Sequence, residues 1–273
     1  MDSKIAAALN LKHHPVAVIF ADVKPESATQ FKEGKWGCVM AMFAGAARGK
    51  TAVFDAKTYG CWGGGVGLGF GNAYEDFPGG VDCFAHFLSI GNDAWEKGRK
   101  VAVGVEQAAG ARFADDFRVG ERYVKSPALV KRWIDELPIE EPASRYAVFK
   151  PLAEIDPAQE VPATVVMVAN ADQISALVIL ANYAGPGRDN VTIPWAAGCQ
   201  NIGLLPLREG QSDHPRAVVG LTDISARKYV RKTLGADVLT FAMPWSLFLE
   251  MEDNVEGSFL ERPSWASLQS PAP

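Results

Sequence analysis

Seven glycines fall within the twelve residues from Gly60 to Gly71 (GCWGGGVGLGFG), and a run of that kind limits what the chain around it can become. Glycine loses more backbone freedom on folding than any other residue, so the segment reads as a cluster of turns rather than as a helix or strand. The absence of side chains also lets backbone approach a bulky group closely, with N–H groups available to it. The flanks, Asp55 to Tyr59 and Asn72 to Gly80, are polar or turn-rich. A dinucleotide fingerprint needs a strand before the glycines, a helix after them and an acid about twenty residues on, and this setting does not supply them. A P-loop is excluded because no Gly-Lys-Ser or Gly-Lys-Thr follows.

Cys61 opens the glycine segment, and the other cysteines, Cys38, Cys83 and Cys199, are each isolated along the chain. Cys38, Cys61 and Cys199 all follow a glycine. Isolated cysteines are often small buried hydrophobes, and that reading stays open. The glycine contexts favour ligation instead. Structural zinc takes ligands in pairs two to four residues apart, and this chain has no such pair. Four thiolates from four separate elements suit the larger [4Fe-4S] cluster, with zinc as the alternative cofactor. The expected metal ligands are therefore Cys38, Cys61, Cys83 and Cys199, with Trp62, Gly63, Gly64 and Gly65 against the cofactor and glycine amides holding its negative charge. Cys83, between Asp82 and Phe84, is the weakest of the four. His86, three residues on, would share its helix face as a supporting group or a substitute ligand.

Two other readings follow from the same residues. In one, Cys61 is the nucleophile of a thiol-dependent enzyme, with backbone N–H groups as an oxyanion site and His86 as the base nearest in sequence. In the other, Trp36, Trp62, Phe70 and Trp195 line the pocket of a non-catalytic small-ligand-binding module. His13 and His14 read as a surface pair, His214 as solvent-facing, and Met40 and Met42 as core.

Short β-branched runs alternate with helical patterns along the whole chain. Strands are expected at Val16 to Phe20, Thr51 to Phe54, Tyr146 to Phe149, Ala163 to Val168, Ala217 to Leu221 and Val238 to Phe241. Helices are expected at Cys38 to Ala47, Cys83 to Ile90, Asp172 to Tyr183, Ile224 to Leu234 and Trp245 to Met251. Another should run from Ser126, as N-cap, through Pro127 to Leu137. This alternation implies an α/β protein with a mixed sheet and helices on its faces. Residues 137–142 read as a link between two lobes, 1–137 and 143–262, which would meet at a shared site, with 263–273 as a loose tail; a single domain is the other possibility.

Composition removes several function classes. The net charge is −5 with no basic block, which disfavours nucleic acid, whose phosphates require clustered Lys and Arg. No apolar run reaches the roughly 18 residues of a membrane helix. The opening residues MDSKIAAALNLKHHPV lack the pattern of a secretory signal, so a cytoplasmic setting is expected. A redox partner or a small molecule is the expected partner, and a homo-oligomer is possible.

Several segments together resemble the archaeal and bacterial family known as domain of unknown function 169. They are Leu11 to Val18 (LKHHPVAV), Cys61 with Gly63-Gly64 and Leu68-Gly69, Ala169 to Gln173 (ANADQ), and Met243-Pro244-Trp245. The likeness spans nearly the whole chain. It implies a cytoplasmic protein of anaerobes with cysteine-centred sites at Cys38, Cys61 and Cys199, a setting suited to an oxygen-sensitive cluster. It implies no substrate.

Overall fold

The computed structural model describes residues 1–139, 141, 144–185 and 187–269. Its chain divides into two compact units, one made of residues 1–70 with 140–273 and the other of Gly71–Ile139. This differs from the expected division at 137–143, and the sheet gives the reason. Its strands are β1 (Val16–Ala21), β2 (Ala52–Phe54), β3 (Tyr146–Pro151), β4 (Thr164–Ala169), β5 (Val191–Thr192), β6 (Ala217–Gly220) and β7 (Leu239–Pro244), in the order β2-β3-β1-β4-β7-β6-β5. Strands from the two halves of the chain therefore alternate in one sheet. β1 runs antiparallel between β3 and β4, with Val16 opposite Pro151 on one side and Val166 on the other. β4 pairs antiparallel with β7 from Thr164↔Pro244 to Ala169↔Leu239, and β5 pairs parallel with β6.

The fold class is α/β, as the alternation of patterns implied, with a mixed seven-stranded sheet. Strands buried on both faces read as unbroken apolar runs, and β1 (VAVIFA) and β4 (TVVMVA) do so. Successive side chains point to opposite faces. Ala17, Ile19, Val165 and Met167 join one core with Leu177, Phe248 and Trp265, from the helices Ala171–Ala181, Trp245–Asp253 and Pro263–Gln269. Val16, Val18, Val166 and Val168 join the other, with Phe43 of Val39–Ala46, Ile202 of Gly198–Ile202 and Val230 of Ile224–Leu234.

Local chemistry fixes several of these starts. Asn170 caps Ala171–Ala181 with a reciprocal box, its Oδ1 accepting from the Gln173 N–H and its own N–H donating to Gln173 Oε1, each at 2.9 Å. The expected loose tail is a helix as far as Gln269. Trp265 is buried there, and its Nε1–H donates to Ala8 O at 3.0 Å, which holds the segment on the core. Residues 270–273 lie outside the described set, as do 140 and 142 of the expected link. His13 is likewise buried and bonds Leu234 O through Nε2 at 2.9 Å, which corrects its reading as a surface residue; His14 and His214 are exposed.

The second unit is helical, with Gly80–Phe87, Glu96–Ala109, Ala111–Val119 and Pro127–Glu136 around an aromatic core. Phe77 lies 5.3 Å from both Phe84 and Phe87 and stacks on Phe117 at 5.9 Å. Asn92 ties two of its helices together, its Nδ2 donating to Cys83 O at 3.0 Å and to Phe117 O at 3.1 Å.

Candidate functional site

Three helices of the first unit begin beside one another on one face of the sheet, and each brings a cysteine. Cys38 is the N-cap residue of Val39–Ala46, Cys61 that of Trp62–Gly67, and Cys199 is the second residue of Gly198–Ile202. The segment expected to be irregular is thus helical through its first half. Its glycines serve close packing of backbones. A Cβ on Gly67 would stand 2.6 Å from the Cys199 carbonyl carbon, and one on Gly64 would stand 2.7 Å from Tyr59 O and press into Val39. A Cβ on Gly198 would meet Met40 Cγ at 3.0 Å. Each helix start therefore touches another because a side chain is missing between them.

A helix start leaves N–H groups without intrahelical partners, and such groups favour negative charge nearby. Those of Met40 and Ala41 act on the Cys38 sulfur, and those of Gly64 and Val39 on the Cys61 sulfur, although neither sulfur closes a capping hydrogen bond. Burial pushes the Cys38 thiol up to about 12, with the charge of Cys61 adding to the rise. Cys61 is instead pulled below the ordinary thiol value, chiefly by a hydrogen bond from Cys199 and against its own burial. Cys199 is pushed well up by the same hydrogen bond and by burial. It has one S–H and two acceptors in reach, the Cys61 sulfur and Gly63 O at 2.9 Å. Of the two sulfurs, Cys61 is accordingly the first to give up its proton.

Asp223 completes the group, and the sequence reading missed it. As N-cap of Ile224–Leu234 it accepts from Ser225 N–H at 2.8 Å and from Gly198 N–H at 3.2 Å, which joins it to the Cys199 helix. Burial raises its carboxyl, and its charge is felt at Cys38, Cys61 and Cys199. An Asp just before an apolar-periodic run signals a helix start, but nothing local in sequence ties residue 223 to 198.

The structure thus brings together Cys38, Cys61 and Cys199, with Gly63 supplying a carbonyl and Gly64 an N–H. Cys83 and His86 belong to the second unit. Cys83 is fully buried there among that unit's own groups, its thiol raised by burial first, with Lys97 and Asp82 acting on it. His86 bonds the Asp82 carbonyl through Nδ1 at 2.8 Å and stacks on Trp95 at 4.4 Å. Of the aromatic set, Trp36 packs on Tyr229 at 5.5 Å and Phe70 stacks on Tyr59 at 6.2 Å. Among the described residues, no three His, Cys, Asp or Glu side chains are disposed to hold a single metal ion.

A family model described as DUF169, uncharacterised ArCR, matches residues 4–254. No curated protein and no solved structure matches the chain.

Proposed function

The chain belongs to the DUF169 family, and from that footing we propose that it holds an iron-sulfur cluster of the [4Fe-4S] type on Cys38, Cys61 and Cys199, for electron transfer or redox chemistry of a small ligand. The observation that carries this reading is the meeting of three thiols, distant in sequence, at three adjoining helix starts. Thiolate donors select iron-sulfur centres, copper(I) or zinc over harder ions. Zinc draws every donor to about 2.3 Å from one point, whereas a cluster offers separate corners to ligands that come from separate elements. When bound, such a cluster supplies one-electron redox chemistry.

The chain's own residues do the remainder. The N–H groups of Val39, Met40, Ala41 and Gly64 favour charge on sulfur, and their number bears on the reduction potential. Binding must release the thiol protons, those of Cys38 and Cys199 being the most tightly held, which makes loading pH-dependent. Cys83 is left out of the proposed set because burial is the largest influence on its thiol and no other sulfur acts on it. Protein purified or reconstituted without oxygen should be brown and contain iron and acid-labile sulfide. Protein that takes up neither under reconstitution contradicts the proposal, and zinc found in equal amount to protein replaces it with a redox-inert site.

The Cys61–Cys199 hydrogen bond favours a second reading, in which Cys61 is a nucleophilic thiolate and Cys199 its proton donor. Iodoacetamide separates the two, since ligated sulfurs are protected until the metal is removed.

A further inference from the structure

The surface beside the three thiols carries apolar groups that the cluster reading does not use. Trp36, Ile193, Trp195, Ile224 and Tyr229 are each between 39% and 66% exposed. They lie on three segments that the structure joins. The Trp36–Tyr229 ring contact sets the loop before Cys38 against the helix Ile224–Leu234. Thr222 Oγ1–H donates to Pro194 O at 3.0 Å, which sets residues 193–195 beside the turn into that helix. Asp223 connects the same turn to the Cys199 helix through Gly198 N–H. Soluble proteins scatter exposed apolar residues singly, and a gathered set rich in Trp and Tyr marks an interaction surface. The half-exposure of all five describes a broad face rather than the floor of a cleft, which suits a protein partner.

The rim of this face is basic. Lys35 adjoins Trp36, and Lys228 and Lys232 follow Ile224 at four-residue steps on one side of the helix. All three are exposed and form no ion pair among the described residues, whereas Glu33 nearby in sequence is already paired with Lys57. Lys228 acts electrostatically on Asp223, which places positive charge close to the thiols. On a chain of net charge −5 this local sign is opposite to the whole. A positive rim around an aromatic centre selects an acidic partner and speeds its encounter.

We propose that this face docks a small acidic electron-carrier protein next to the Cys38, Cys61 and Cys199 centre, an inference that rests on the redox reading of that centre. In the exchange one electron leaves the reduced carrier, which is oxidised by one, and the centre is reduced by one; no bond forms or breaks.

The test uses the full chain, loaded with iron and sulfide under anaerobic conditions, and two probes, an acidic ferredoxin and an acidic flavodoxin, with binding followed by calorimetry at low and high salt. At least one probe should bind, and binding should weaken with salt. Lys228→Glu with Lys232→Glu should weaken it by about tenfold or more, as should Trp36→Ala, while Lys12→Glu, an exposed charge on the first strand's approach, should change it less than about twofold. Iron content is measured on every variant. A loaded protein that binds neither probe overturns the docking proposal alone. Probe binding by protein that takes up no iron overturns the cluster reading and leaves the docking surface standing. Self-association, or binding of single-stranded RNA, abolished by the same Lys228 and Lys232 changes would assign the face to another occupant and overturn the proposal.

Discussion

Cys83 and Cys199 are both buried and each lies in a short helix, but their surroundings set them to different tasks. Around Cys199 the structure gathers two further sulfurs, an Asp carboxyl and the starts of two other helices, so that each sulfur's proton depends on the others. Around Cys83 it gathers Gly79, with Val101 beside it, and the charges of Lys97 and Asp82, and burial is the largest influence on the thiol. Burial of a cysteine carries little meaning until its neighbours are known. A sulfur among backbone N–H groups and other sulfurs is arranged for charge; one governed chiefly by its burial is arranged for packing.

The largest expected effect is on cluster content. Cys61→Ser and Cys199→Ser should each remove the visible absorption and the iron, because a serine oxygen is a harder ligand than thiolate, while Cys83→Ser should keep both. Next comes stability through packing. Gly67→Ala and Gly64→Ala force a methyl into backbone at 2.6 and 2.7 Å, and each should cost about 1–3 kcal/mol in urea unfolding of the metal-free protein and impair reconstitution. Cys83→Ala should cost about 1–2 kcal/mol through the space it leaves, with iron content unchanged.

A smaller effect concerns pH. Cys38 keeps its proton in the fold up to about 12, whereas an unfolded thiol loses it near 9. Between these values the unfolded chain binds fewer protons than the folded one, so stability that is fully present below pH 9 declines as pH rises toward 12. Cys199 acts in the same direction, while Cys61, held below 9, adds stability as pH rises toward 9 and no slope above it. Metal-free protein should therefore lose stability above about pH 9, and Cys38→Ser should reduce that slope, as read from urea midpoints across the range. The smallest is His86→Ala, which should cost about 0.5–1.5 kcal/mol for the lost stacking on Trp95 and leave iron content as it was.

Much of the sheet was legible because its strands are apolar on both faces. Val16 to Phe20, Tyr146 to Phe149 and Ala163 to Val168 announce themselves by β-branched runs, and Ile224–Leu234 by its apolar spacing. The two-residue strand Val191–Thr192 is too short to show a period. Glu96–Ala109 and Ala111–Val119 escaped notice because glycines at 98, 104 and 110 interrupt weakly apolar patterns. The glycine segment misled for a physical reason: local entropy argues against a helix, but contact with Val39 and the Cys199 backbone outweighs it once the chain has folded. At the site, the glycine contexts of Cys38, Cys61 and Cys199 pointed to the three sulfurs that meet. Asp223 and the Trp36–Tyr229 face depend on contacts between residues far apart in the chain, which spacing alone does not reveal.

One measurement bears most directly on the contrast between the two regions. Iron and acid-labile sulfide are quantified in wild type, Cys199→Ser and Cys83→Ser, each reconstituted without oxygen and freed of unbound metal. About four iron and four sulfide per chain are expected in wild type and in Cys83→Ser, and neither in Cys199→Ser. Wild type without iron and sulfide, or a Cys83→Ser protein as empty as Cys199→Ser, would contradict the cluster reading.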